Sequence, residues 1–221
     1  MSLIRKQKQS YRRAVKLIEG PAVEPVQLED LKIHLRIDDK TEDDVLVGAI
    51  AQAREMIEEY LNLAMITQTW LVSYDQWPIA DAQIIDGRPI YDVNQQPDFV
   101  ELPRFPLASV TSVITYAADS TPTSAVVDDV FDVDTYSTPG RMALQSGQTW
   151  PTLGRKTNAI EIQYEAGYGA IETAVPPLLR RCVMNVAAYL YEHRGDCGST
   201  VSILQGSGVS SAVNQYKIRR I

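Results

Sequence analysis

Residues 24–61 read EPVQLEDLKIHLRIDDKTEDDVLVGAIAQAREMIEEYL, and this stretch decides the fold class. Pro25 sets an extended entry. Gln27 to His34 then predicts a short helix, with Leu28, Leu31 and Leu35 at i, i+3 and i+7. Asp38, Asp39 and Lys40 form a polar break. A longer helix follows, with Thr41 placed to cap it and Asp44 three residues on as a capping-box-like partner. Acids crowd its first turn (Glu42, Asp43, Asp44), where the helix dipole favours them. Leu46, Ile50, Ala53, Ile57 and Leu61 then recur at helical spacing, flanked by Val45, Ala49, Met56 and Tyr60. That stripe is wide enough to face a core, and it ends near Asn62.

Beyond Asn62 the period changes. Ile66 to Tyr74, ITQTWLVSY, alternates and is rich in β-branched and aromatic residues. Residues 79–98 are weakly patterned and predict a long loop, with a small hairpin at Asp86-Gly87. Short strands are expected at Phe99–Leu102, Val110–Tyr116, Val130–Asp134, Arg141–Leu144 and Ile160–Tyr164. The last of these runs into a glycine turn, Gly167-Tyr168-Gly169. The helical period returns after Pro176-Pro177, where proline suits a helix start. Leu178, Leu179, Cys182, Val183, Val186 and Leu190 form its stripe, and Gly195 is placed to end it.

The expected class is therefore α+β. A small α-helical core comes from the N- and C-terminal halves, with an inserted antiparallel β unit between them. By segment, 1–22 is a basic N-terminal extension and 23–65 the helical part of the core. Residues 66–170 are the inserted β-rich unit, 171–195 the C-terminal core helix, and 196–221 a Gly/Ser-rich linker with a terminal segment.

Composition excludes several functions. With 45% hydrophobic residues the chain of 221 has enough apolar matter for a core, so wholesale disorder is excluded. No run approaches the roughly 20 apolar residues that a spanning helix needs. The basic start has no apolar segment of a secretory signal. A net charge of −7 argues against a general nucleic-acid binder. Charge is segregated, however. Residues 1–19 hold six bases and one acid, residues 24–59 eleven acids and four bases, and the last five residues three bases and no acid. Such a distribution suits contact between copies or with another partner.

Catalysis finds no footing. There is no G-x-S-x-G, and the two histidines, His34 and His193, match no metal spacing with Cys182 and Cys197. His193 has a structural reason to sit at a helix C-terminus. Cys197 lies in a glycine-rich setting with nothing to lower its pKa. Asp38-Asp39 and Asp128-Asp129 lack the alternating spacing of a calcium loop. The turn at Gly167 has no third glycine and no GK[ST] for phosphate. No catalytic, cofactor-binding or metal-ligating residue is expected.

The ordered set of motifs resembles the head–tail connector (neck adaptor) proteins of long-tailed phages, prophages and gene transfer agents. It comprises EPVQLEDLKIHLRID with AQAREMIEEYLNLAMITQTW, ELPRFPLASVTSVITY, FDVD with STPGRMAL, IEIQYEAGYG, VPPLLRRCVMNVAAYLYEHRG and SAVNQYKIRRI. The resemblance spans about residues 20–221 and leaves out 1–14 and 79–98. It implies a ring-forming virion subunit, typically dodecameric, made in the bacterial host cytoplasm. Such a subunit sits at the head–tail interface beneath the portal protein. It extends the channel for dsDNA without binding the DNA specifically, and offers a platform to the next neck or tail protein. It implies no cofactor. An acidic body suits a channel wall that must not grip passing DNA. The end of the chain, with Val209, Val213, Tyr216, Lys217, Ile218, Arg219 and Arg220, is expected to dock on the portal or a neighbouring subunit. Three other functions remain open on the residues: another neck or tail-completion protein, a small enzyme using His193 or Cys197, and a DNA-binding accessory protein using Arg5, Arg12 and Arg13.

Overall fold

The computed structural model describes residues 13–78, 83–85, 88–90, 99–195 and 198–218, with the backbone alone at 83–85 and 88–90. The protein is α+β, as expected. Its apolar interior divides into two clusters, one helical and one β, which meet along a polar seam.

The helical cluster begins with α1 (Leu28–Leu35) and α2 (Asp43–Leu61). Both end on a left-handed residue, Arg36 and Asn62, whose N–H bonds back to carbonyls of the last turn. The stripe of α2 buries Leu46, Ile50, Ala53, Ile57 and Leu61, while Val45 stays 45% exposed. The expected capping by Thr41 is not what starts this helix. Thr41 instead donates its own N–H to Asp39 Oδ1 at 2.9 Å, and the helix begins two residues later at Asp43. Asp43 holds Lys32 of α1 at 2.7 Å and so ties the two helices. α4 (Pro177–Glu192) opens on proline and buries Leu179, Cys182, Val183 and Val186 against α2. Leu31, Ile57 and Val186 are wholly buried, and each such side chain stabilises the fold by roughly 1.5–3 kcal/mol.

The stretch expected as a linker, 195–208, is corrected, since it holds the short helix α5 (Thr200–Gly206); with α6 (Ser210–Asn214) in the terminal segment it completes the helical cluster. Ser199 caps α5 by accepting from Ser202 N–H. Ile203, Leu204, Val209 and Val213 are all buried there. Gly206 is required by a close approach, since a Cβ would lie 2.8 Å from the Tyr189 ring.

The β cluster is built on a five-stranded antiparallel sheet of order β1-β2-β10-β6-β7. Its strands are β1 (Arg13–Glu19), β2 (Gln68–Tyr74), β10 (Ile160–Ala166), β6 (Leu107–Tyr116) and β7 (Pro122–Ala125). Strict alternation on β10 sends Ile160, Ile162, Tyr164 and Ala166 inward. A second sheet of β5 (Phe99–Glu101), β9 (Arg141–Leu144) and β8 (Phe131–Asp134) supplies Val100, Met142 and Phe131 to the same core. Trp77, Phe131 and Trp150 pack together, the two tryptophan rings 4.5 Å apart and tilted. The one-turn helix α3 (Val127–Val130) leads into β8. The small hairpin expected in 79–98 is present as β3 (Gln83–Ile85) paired with β4 (Arg88–Ile90). Its turn, Asp86-Gly87, lies outside the described residues.

One segment differs from expectation here. Residues 1–22 are not simply an extension, because Arg13–Glu19 forms an edge strand paired antiparallel with β2.

Candidate interaction surfaces

The seam between the two clusters is where sequence-distant groups converge. Glu58, on the buried side of α2, accepts from Met65 N–H at 2.7 Å and from Gln68 Nε2 at 2.9 Å. Its other oxygen accepts from Arg54 Nη1 at 2.8 Å, and Arg54 Nε donates to Glu24 at 2.8 Å. Burial pushes the Glu58 carboxyl up, while the Met65 N–H and Arg54 pull it down. Burial also opposes the Arg54 charge, but Glu24 and Glu58 outweigh it and hold the guanidinium above its usual range. A buried pair satisfied on every side fixes geometry more than it adds stability.

Arg104 approaches the same seam from the β side. Its backbone is left-handed at φ 64°, and its guanidinium lies 4.7 Å from the centre of the Trp70 ring. Nη1 donates to the Glu58 carbonyl at 3.0 Å, and Nη2 pairs with Glu59. The last turn of α2 carries no base of its own, so Arg104 brings the cation that the helix C-terminus favours. The glycine turn closes the seam. Gly167 N–H donates to Pro106 O and Tyr168 N–H to Met65 O, while Gly169 O accepts from Thr67 N–H. A Cβ at Gly167 would lie 2.5 Å from Thr67 N, so glycine is required. Gly167 and Tyr168 already donate their amides within the protein, which removes the phosphate-binding reading of this turn.

The catalytic candidates do not converge. His34 is exposed on α1. His193 sits at the end of α4, its Nδ1 3.0 Å from Tyr189 O and its ring stacked on Tyr189 at 4.2 Å. Cys182 is buried, which pushes its thiol up and makes it a poor nucleophile. Cys197, Arg5 and Arg12 lie outside the described residues. Asp38, Asp39, Asp128 and Asp129 are exposed, and no group of three metal-ligating side chains occurs among the described residues. At the far end of α2, Glu42 bonds Tyr191 and Arg194 of the α4 end. These hydrogen bonds, Tyr191 first, hold its carboxyl below the usual range.

The terminal residues expected to dock divide into two groups. Val209 and Val213 are wholly engaged in this chain's own core, which corrects their assignment to a partner. Tyr216 and Ile218 pack partly against that core, and Lys217 lies over the Tyr60 ring at 4.5 Å. Arg219 and Arg220 lie outside the described residues.

Two exposed edges escaped the sequence. All seven residues of β1 are exposed, including Val15 at 38%, Leu17 at 43% and Ile18 at 47%. The alternation of RAVKLI was the available signal, masked by the surrounding bases. At the opposite edge, β7 and the start of α3 expose Val126 at 62%.

Residues 25–97 match the family model of the phage gp6-like head-tail connector proteins. The resemblance to head–tail connectors read in the sequence is borne out by this match. No curated protein matches the sequence. Among solved structures, the protein is similar over nearly its whole length to chains of gene transfer agent (GTA) particles. A chain from the neck of an empty GTA particle with C6 symmetry is 19% identical, with a TM-score of 0.70, covering 94% of this chain and 97% of that one. A chain from the virion of a native GTA particle is 18% identical, with a TM-score of 0.65, covering 94% and 96%. A chain from the neck of a native GTA particle with C12 symmetry is 20% identical, with a TM-score of 0.64, covering 93% and 97%. The connector match thus covers α1, α2 and the chain through residue 97, while the fold similarity to the GTA chains extends over 93–94% of the protein.

Proposed function

We propose that this protein is a head–tail connector subunit, a structural virion protein of the neck that assembles as a ring of twelve beneath the portal. The observation that carries this reading is the conjunction of a connector signature in residues 25–97 with a neck-chain fold over 94% of the length. The C12 symmetry used for one of the similar necks supports a count of twelve, and the C6 symmetry used for the other is compatible with it. In this role the ring extends the channel for dsDNA, gives the next neck or tail protein its platform, and is built from chains made in the host cytoplasm. Segregated charge supports it, since subunits of a ring need unlike faces. The portal-facing segment is narrower than the sequence suggested. With Val209 and Val213 in the core, Tyr216, Lys217, Ile218, Arg219 and Arg220 remain for the portal or a neighbour.

Co-sedimentation of the purified chain with the portal ring of its particle tests this, with stoichiometry read by mass. One bound copy per portal subunit is the expected result. A folded chain that leaves the portal bare overturns the assignment.

A further inference from the structure

We propose that neighbouring copies in the ring meet through the two opposite edges of the five-stranded sheet, the β1 edge of one copy seating against the β7–α3 end of the next. This rests on the ring reading above and names its interface.

Three observations carry it. The first is an interrupted core. Val15 and Leu17 pair across the ladder with Val72 and Trp70, so they lie on the sheet face that carries the β core. Val72 is fully buried and Trp70 is 9% exposed, yet among the described residues the cover stops at β2 and leaves β1 exposed. A bare apolar ledge continuous with a core is the sort of surface that a partner covers.

The second is charge. β1 presents Arg13 and Lys16, with Glu19 at its end, and Arg12 precedes it in sequence. Residues 117–140 carry five acids (Asp119, Asp128, Asp129, Asp132, Asp134) and no base. Asp134 is held by Ser137 and by Arg141 at 2.9 Å, but Asp119, Asp128, Asp129 and Asp132 are exposed. Exposed apolar residues accompany them, Val126 and, at 97%, Tyr136. The two ends are thus complementary in charge, and both carry apolar groups.

The third is placement. In a closed ring each subunit shows one patch to one neighbour and a different patch to the other. The strand order puts β1 and β7 at opposite edges of one sheet, which supplies two such patches on a rigid frame. Continuation of the hydrogen-bond ladder is disfavoured at both edges. Pro122 opens β7 without an N–H, and the β1 register shifts between Leu17 and Glu19. The contact is therefore made by side chains, and the same features keep free copies from pairing indiscriminately.

Charge reversal with rescue tests the pairing. Full-length chains carrying Lys16→Glu with Leu17→Glu, Asp128→Lys with Asp129→Lys, or all four changes are titrated onto the portal ring. Bound copies are counted by mass. All four positions are exposed or at the sheet edge, and thermal melting of each variant verifies its fold. The expected result is an at least tenfold higher half-assembly concentration for either one-sided variant and a return to within threefold for the four-fold variant. One-sided variants that assemble like the natural chain overturn the interface and leave the ring reading standing. So does a four-fold variant no better than either half. A natural chain that forms no ring overturns the ring reading and this interface with it.

Discussion

The helical and β halves solve the problem of burial in different ways. The helical half gathers its core from both ends of the sequence, with residues from Val26 to Ile66 meeting Val175 to Val213. Its interior admits an ion pair, Arg54 with Glu58, and every polar atom of Glu58 has a partner. The β half is drier, built from aromatic and aliphatic groups, and it stops short at one edge, leaving β1 uncovered. The helical half admits charge to its interior, while the β half leaves the apolar side chains of its edge strand exposed. The seam fixes how the two halves meet, and the exposed edge is the surface proposed for assembly.

Breaking the seam has the largest effect. Glu58→Ala leaves Arg54 without its buried partner and strips acceptors from Met65 N–H and Gln68. Urea denaturation is expected to show a loss of about 3–5 kcal/mol. Because the seam joins both halves, tryptophan fluorescence from the β half and far-UV circular dichroism from the helices fall together. Separate transitions refute the seam as a single cooperative element. Truncation after Gly208 comes next. It removes Val209 and Val213 from the helical core, at a cost of about 3 kcal/mol, and lowers the melting temperature rather than merely freeing a tail. An unchanged melting temperature would refute a role for this segment in the core.

Alkaline pH sharpens the comparison from the β side. Burial raises the Tyr74 pKa from 10.0 to about 12, and burial pushes Tyr164 up as well. The folded pKa exceeds the unfolded one, so this stabilisation is complete below pH 10 and is lost as pH rises through about 12, with Tyr74 accounting for roughly 3 kcal/mol once the loss is complete. Tyr74→Phe is expected to flatten that alkaline loss, followed by urea midpoints at pH 8 and pH 11. The smallest effect lies at a surface turn. Hydrogen bonds from Ser137 and Arg141 hold the Asp134 carboxyl well below 3.8, so its contribution is present above that pH and is lost as pH falls further. Asp134→Asn loosens the β8–β9 hairpin at neutral pH, read by amide exchange at Val133 and Met142, without changing global unfolding.

Much of this plan was legible in the sequence because it is written in local periods. The stripes of α2 and α4, the alternation of β10 and the hairpin within 79–98 are all such patterns. Three features were not. The Gly/Ser content of 196–208 hid α5, whose short apolar pair Ile203-Leu204 finds its place only against Tyr189 and the helical core. The expected cap at Thr41 failed because Asp39 captures the Thr41 N–H and Lys32 draws Asp43 into the helix start. The seam joins Arg104 to Glu58, 46 residues apart, and no local period encodes such a pairing. The surfaces proposed for assembly were the least legible, since an exposed edge is defined by what fails to cover it.

The two-ended origin of the helical core has a consequence during synthesis. Residues 28–61 emerge from the ribosome early, yet the apolar face of α2 waits for α4 and for Val213 before it is covered. The β strands, made in between, are free to fold first. A nascent chain arrested before α4 therefore leaves the apolar stripe of α2 exposed. Only a chain translated through Val213 buries that side chain and completes the helical core.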